Sequence, residues 1–115
     1  MLFKSSYISG IFAETIVSLY LRLHFYKILK RRYKTGNYTG MAEIDIIAKR
    51  KNLIIFVEVK YRKNLDCALN AITENQKRRL IRAAETFLLQ HYPNSDARFD
   101  LIAVCPPKIF WIKNI

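Results

Sequence analysis

Cysteine and histidine are scarce, at two each, and scattered: Cys67 and Cys105 lie far apart, and His24 and His91 lie near neither. Without thiols or imidazoles at metal-finger spacing, a zinc site is not expected to organise the chain. Acids are the next shortage, with 9 Asp plus Glu against 20 Lys plus Arg and a formal net charge of +11. Such an imbalance calls for a polyanionic partner, nucleic acid first, although a merely basic surface or one that meets an anionic membrane would carry the same sign. Long uninterrupted apolar runs are missing too. Residues 11–29 are the richest stretch, yet they contain Glu14, Arg22, His24 and Lys27, too many polar groups for a membrane span, and they lack the layout of a signal peptide. The expectation is a cytoplasmic protein with reduced thiols and no membrane contact. Repeats, low-complexity tracts and linkers are also absent from the sequence.

What is there suits one compact unit. Residues 1–115 bury a single core and leave no room for a second, and 51% apolar with 25% charged residues is an ordinary globular composition. Ile8, Ile11, Phe12, Ile16, Leu19 and Leu23 follow the three-and-four spacing of one helical face, which predicts a helix over residues 9 to about 24. The basic segment 27–34 reads as an exposed, edge-like strand that ends in the turn-rich 36–40. Residues 42–48 and 53–61 read as an antiparallel hairpin, and Leu53, Ile54, Ile55, Phe56 and Val57 are apolar enough for a central strand covered on both faces. Thr73 and Gln76 have the form of a capping box that opens a helix to about residue 91, with Leu80, Ala84, Phe87 and Leu88 on its buried face. Residues 98–104 and 109–112 supply two late strands, broken by Pro106 and Pro107. The order is helix, three strands, helix, two strands.

The few acids are placed where they are costly. Glu43, Asp45 and Glu58 all lie on the central hairpin among apolar neighbours, and alternation puts Glu58 and Lys60 on one face of their strand. With the loop centred near residues 50 and 51, Asp45 falls opposite residue 56 or so and Glu58 one pleat away. Two carboxylates held close in a partly desolvated place repel, so at least one pKa should rise unless a cation neutralises them. A hard divalent ion such as Mg²⁺ or Mn²⁺ takes one or two carboxylates, waters and a substrate phosphate. It supplies charge at phosphoryl oxygens and at an attacking water, which Lys60 can help to orient or deprotonate. Taken singly, each of the three also reads as part of a cross-strand charge pair.

Asp45, twelve intervening residues, then Glu58, Val59 and Lys60 on a hairpin resemble the PD-(D/E)xK nuclease motif, and Glu14 resembles the acid that many members carry on the preceding helix. GIFAE at residues 10–14, AEIDIIA at 42–48, FVEVKYR at 56–62 and RFD at 98–100, in this order, resemble the YraN family of bacterial proteins over nearly the whole chain. Ala13 and Ala42 stand where that family usually has Gly, a departure that leaves every candidate ligand in place. The resemblance implies a restriction-endonuclease-like, tRNA-endonuclease-like α/β fold, a mixed sheet flanked by helices in the order α-β-β-β-α-β-β. It supplies no substrate.

The expected function is therefore metal-dependent hydrolysis of phosphodiester bonds in DNA or RNA, directed by structure rather than by sequence because no groove-reading element is evident. Asp45 and Glu58 would hold the metal, Lys60 would act at the water, and Glu14 would assist. Lys27, Lys30, Arg31, Arg32, Lys34, Lys77, Arg78, Arg79 and Arg82 would grip phosphates. Tyr33, Tyr38 and Tyr61 can stack on unpaired bases, or simply pack on the sheet. The alternatives are a non-catalytic nucleic-acid-binding module of the same fold and an interaction protein that docks on a ribonucleoprotein. A homodimer is open by analogy with nucleases that cut both strands.

Overall fold

The computed structural model describes residues 2–35 and 42–115, with side chains from Ser9 onward; Tyr38 and the turn expected at 36–40 lie outside the described residues. Eight elements follow in chain order: α1 (Leu2–Leu23), β1 (Lys27–Lys34), β2 (Glu43–Arg50), β3 (Leu53–Tyr61), α2 (Leu65–Asn70), α3 (Glu74–His91), β4 (Asp96–Cys105) and β5 (Lys108–Ile112). The strands form one sheet in sequential order, β1-β2-β3-β4-β5. Only β3 and β4 run parallel; the other three pairings are antiparallel. This is the five-stranded mixed sheet flanked by helices that the resemblance implies, with α2 as an added element.

The sheet is mixed because α2 and α3 return the chain to the end of the sheet where β3 began, so β4 can pair only parallel to it. Asn64 starts α2 by accepting the Cys67 amide at 2.9 Å, and Thr73 starts α3 by accepting the Gln76 amide at 3.1 Å. α2 has six residues and buries only Ala68, too little periodicity to be read in advance.

Ile54, Ile55, Phe56 and Val57 of β3 are at most 1% exposed, as a strand covered on both faces requires. Alternation deals them to two layers. Ile55 and Val57 join Ile46, Ala48, Ile102 and Val104 under α1, while Ile54 and Phe56 join Ile44, Ile47 and Phe99 under α3. α2 covers the Ala103, Cys105 and Phe110 end of the sheet.

The packing face of α1 differs from the stripe that its periodicity suggests. Ala13, Val17 and Leu21 lie against the sheet, with Glu14 and Ser18 buried beside them, whereas Phe12, Leu19 and Leu23 are exposed. Both rows have helical spacing, but the larger side chains dominate a pattern count while the smaller ones permit close approach to the strands. The helix also begins at Leu2 rather than at residue 9. No helix among the described residues is long and apolar enough to cross a membrane.

Candidate active site

The β2–β3 hairpin turns at Lys51 and Asn52, with Arg50 opposite Leu53 and Ile46 opposite Val57. Lys51 takes a left-handed φ of 55°, a conformation that two-residue hairpin turns use. The turn sits one residue later than the expected centre, so continuing the register sets Asp45 opposite Glu58 rather than opposite residue 56. Regular pairing stops just before Asp45. Ile44 and Ile46, two residues apart, belong to opposite layers, so β2 changes phase at Asp45. The Asp45 carboxylate then does what a backbone carbonyl would otherwise do: its Oδ2 accepts the Val59 amide of β3 at 2.8 Å.

This contact brings the two acids together. Glu58 is buried, Asp45 half-buried, and Lys60 Nζ lies 3.2 Å from Glu58 Oε1. Among the described residues, the enclosed Glu58 Oε2 has no hydrogen-bond donor. Burial, and next the Glu58 charge, push the Asp45 carboxyl up to about 8 despite the Val59 amide, which favours its charged form. Burial likewise raises the Glu58 carboxyl against the pull of Lys60. At neutral pH the pair therefore resists carrying two negative charges, and Asp45 leans to its neutral form.

Among the described residues, no three Asp, Glu, His or Cys side chains gather into a set that holds a metal by itself. The donor set is thus two carboxylates, all oxygen, one of them with an unserved buried lone pair. That fits a hard divalent cation completed by waters and substrate oxygens, and fits a soft or tetrahedral ion poorly.

Glu14 is buried above the same place but is turned to Arg32, whose Nε lies 3.0 Å from its Oε1. It is not arranged as a third ligand. Glu43 is exposed on the outer side. The acid pair is open on both sides, because Asp45 and Glu58 line two clefts. One, of about 400 Å³, continues to Glu14, Lys60, Tyr61 and Arg62; the other, of about 390 Å³, to Glu43, Gln76 and Arg79.

The basic residues divide into two groups. Lys27, Lys30, Arg31, Arg32 and Lys34 are exposed on edge strand β1, where Arg31 also reaches Thr15 at 3.3 Å. On α3, Arg78, Arg79 and Arg82 are exposed, while Lys77 is half-buried and 3.7 Å from Glu74. Only Arg79 of either group lines a cleft that the acids share. Arg98 and Asp100 form a two-pronged contact at 2.8 Å and line neither of the acids' clefts. Tyr33 packs edge-on against Phe87. Sequence reasoning missed the Val59 amide and Arg62. Neither has a sequence signal, since one is backbone and the other sits in a run of exposed basic residues.

The five-stranded mixed sheet flanked by helices is a restriction-endonuclease-like fold, and Asp45, Glu58 and Lys60 lie on its β2–β3 hairpin. Residues 13–104 match the uncharacterised protein family UPF0102, the YraN family, and the chain belongs to it. It is 44% identical over 103 residues to a UPF0102 protein of Rhodopseudomonas palustris strain HaA2, covering 88% of this chain and 77% of the relative. A Bradyrhizobium diazoefficiens UPF0102 protein is 43% identical over 100 residues, 85% of this chain and 72% of its own length. One from Paramagnetospirillum magneticum is 40% identical over 99 residues, 84% and 77% respectively.

Proposed function

We propose that the chain is a divalent-metal-dependent phosphodiesterase acting on nucleic acid, with Asp45 and Glu58 holding Mg²⁺ or Mn²⁺ and Lys60 at the attacking water. The observation that carries this reading is the half-buried Asp45 beside the buried Glu58, with an unserved Glu58 oxygen and Lys60 Nζ 3.2 Å from the other, set between two open clefts. When bound, the cation neutralises charge that builds on the phosphoryl oxygens and makes water a better nucleophile.

The chain's own groups supply the rest. The Val59 amide fixes the Asp45 carboxylate on the strand, so its free oxygen needs little reorganisation to accept a ligand. Glu58 Oε1 holds Lys60 in place, and the ammonium stands where it can donate to the water or to a non-bridging phosphate oxygen. The basic surface, at +11 overall, concentrates polyanions near the clefts.

The test is incubation with labelled single-stranded, duplex and branched DNA and RNA, with Mn²⁺ and with chelator. Metal-dependent cleavage lost in Asp45→Asn supports the reading; no cleavage of any substrate overturns it. The closed Glu14 and Arg32 ion pair favours a second reading, a binding module without cleavage. Its signature is tight binding in chelator and intact substrates in Mn²⁺.

A further inference from the structure

The acids stand on the wall between two clefts, and the two sides differ in chemistry. On the α3 side, Arg79 lines the acid cleft and also a third depression, of about 410 Å³, formed with Asn75, Arg78 and Arg82. Positions 75, 78, 79 and 82 follow the three-and-four spacing of one helical stripe, about 10 Å long. Among the described residues none of these three arginines has a carboxylate partner, whereas Arg32 and Arg98 do. Arg78 bonds only to the neutral Asn75 oxygen, at 2.6 Å. This stripe is uncompensated positive charge leading to the acid pair.

On the α1 side the cleft carries one aromatic side chain. Tyr61 ends β3, lines the acid cleft beside Lys60 and is 36% exposed. Among the described residues its ring stacks on no other ring, unlike Tyr20, Tyr26, Tyr33 and Tyr92. The exposed Arg62 follows it at the same cleft.

We infer that the substrate is an unpaired strand that crosses the acid pair, with phosphates on the Arg78, Arg79 and Arg82 stripe on one side and a base stacked on Tyr61 on the other. This rests on the nuclease reading and names its substrate. Stripe, acids and tyrosine lie in one connected path, so a phosphate between the two flanks falls at Asp45 and Glu58. Clefts near 400 Å³ are at the small end of ligand-pocket sizes, so each holds about one nucleotide unit. A base inside a duplex has both faces stacked already, so only an unpaired one offers a face to Tyr61.

Fluorescence anisotropy in chelator tests this apart from catalysis, using a single-stranded oligonucleotide and a blunt duplex of equal length. The wild type should bind the single strand at least about tenfold tighter. Tyr61→Ala should weaken single-strand binding roughly five- to a hundredfold, the loss of one base stack, and Tyr61→Phe should restore it. Removing one base at a time from the strand should reveal a position that matters in wild type and not in Tyr61→Ala. Replacing Arg78, Arg79 and Arg82 by Ala should flatten the log-log salt dependence by about 0.7 per lost contact. Equal affinity for both substrates, or a Tyr61→Ala variant that binds the single strand like wild type, overturns the inference. Metal-dependent cleavage confined to duplex would do so while leaving the nuclease reading standing.

Discussion

Arg32 stands opposite Asp45 across the β1–β2 ladder, between the pairs Arg31 with Ile46 and Tyr33 with Ile44, yet its guanidinium is turned to Glu14, 3.0 Å away. Its φ of 54° is left-handed, where a side chain costs about 1 kcal/mol. Strain in β1 thus faces the phase change in β2, with Arg32 held by Glu14 and Asp45 held by the Val59 amide. The cation nearest Asp45 along the ladder is spent on another acid, which leaves burial free to raise the Asp45 pKa.

Arg32→Ala should therefore cost stability by about 1–2 kcal/mol, since it keeps the strained backbone and strands a buried Glu14 carboxylate, with the pair's 38% exposed Arg side limiting the loss. Arg32→Gly loses the same ion pair but relaxes the backbone, so it should be the more stable of the two by about 1 kcal/mol. Urea denaturation of both variants beside wild type measures the difference. An Ala variant equal to the Gly variant would show that the left-handed turn carries no strain.

Asp100 is the most enclosed charge among the described residues, at 0% exposure, and it is fully served. Arg98 reaches it twice at 2.8 Å, Trp111 Nε1 donates at 2.9 Å and the Asn114 amide at 3.0 Å. Asp100→Asn puts an amide donor among four donors and removes the charge that Arg98 faces. The expected loss is about 3 kcal/mol or more, read as a lower denaturation midpoint, with binding of nucleic acid in chelator unchanged on the folded fraction.

How far the fold was legible follows the physics of each element. β3 was readable residue for residue because Leu53 to Val57 bury both faces, and α3 because Thr73 and Gln76 announce its start. The face of α1 was not, because the bulky Phe12, Leu19 and Leu23 outweigh the small Ala13 and Val17 in any periodicity count, although the small ones do the packing. For the site, the meeting of Asp45 with Glu58 was legible from acids in an apolar hairpin. The phase change that accompanies it is tertiary: the Val59 amide is taken by the Asp45 side chain, a contact across strands that leaves no residue pattern. The pairing of Glu14 with Arg32 joins residues eighteen apart and had no local signal.

Glu58 and Lys60 should separate stability from chemistry. Glu58→Gln removes the partner of an ammonium whose side chain is 14% exposed, so the metal-free protein should lose about 1–3 kcal/mol, and Glu58→Gln combined with Lys60→Met should recover most of it. Lys60→Met alone should keep or strengthen Mn²⁺ binding, because a repelling charge is gone, while cleavage falls by orders of magnitude. Calorimetric Mn²⁺ titration and cleavage rates on the same preparations provide the check. A Lys60→Met variant that cuts like wild type would reduce Lys60 to a structural partner of Glu58.

Asp45 gives the sharpest prediction, because its folded pKa of about 8 stands far above its ordinary 3.8. Between those two values the folded protein keeps a proton that the unfolded chain releases, so the unfolded state binds fewer protons and stability must fall as pH rises. Without metal, the contribution of this group should be full below about pH 4, should fall by up to a few kcal/mol as pH rises to 8, and should then level off. Asn is close in shape to a protonated Asp, and its side-chain oxygen can still accept the Val59 amide. Asp45→Asn should therefore match wild type at low pH, exceed it at pH 8 and show a flatter profile throughout. A divalent cation competes with the same proton. The Mn²⁺-induced rise in melting temperature should consequently grow between pH 6 and pH 8.5 in wild type and be small at every pH in Asp45→Asn. Thermal melts of both proteins across that range, with Mn²⁺ and with chelator, decide the matter: an Asp45→Asn variant that melts well below wild type at pH 8 and a wild type indifferent to Mn²⁺ would make Asp45 a structural acid and remove the metal site.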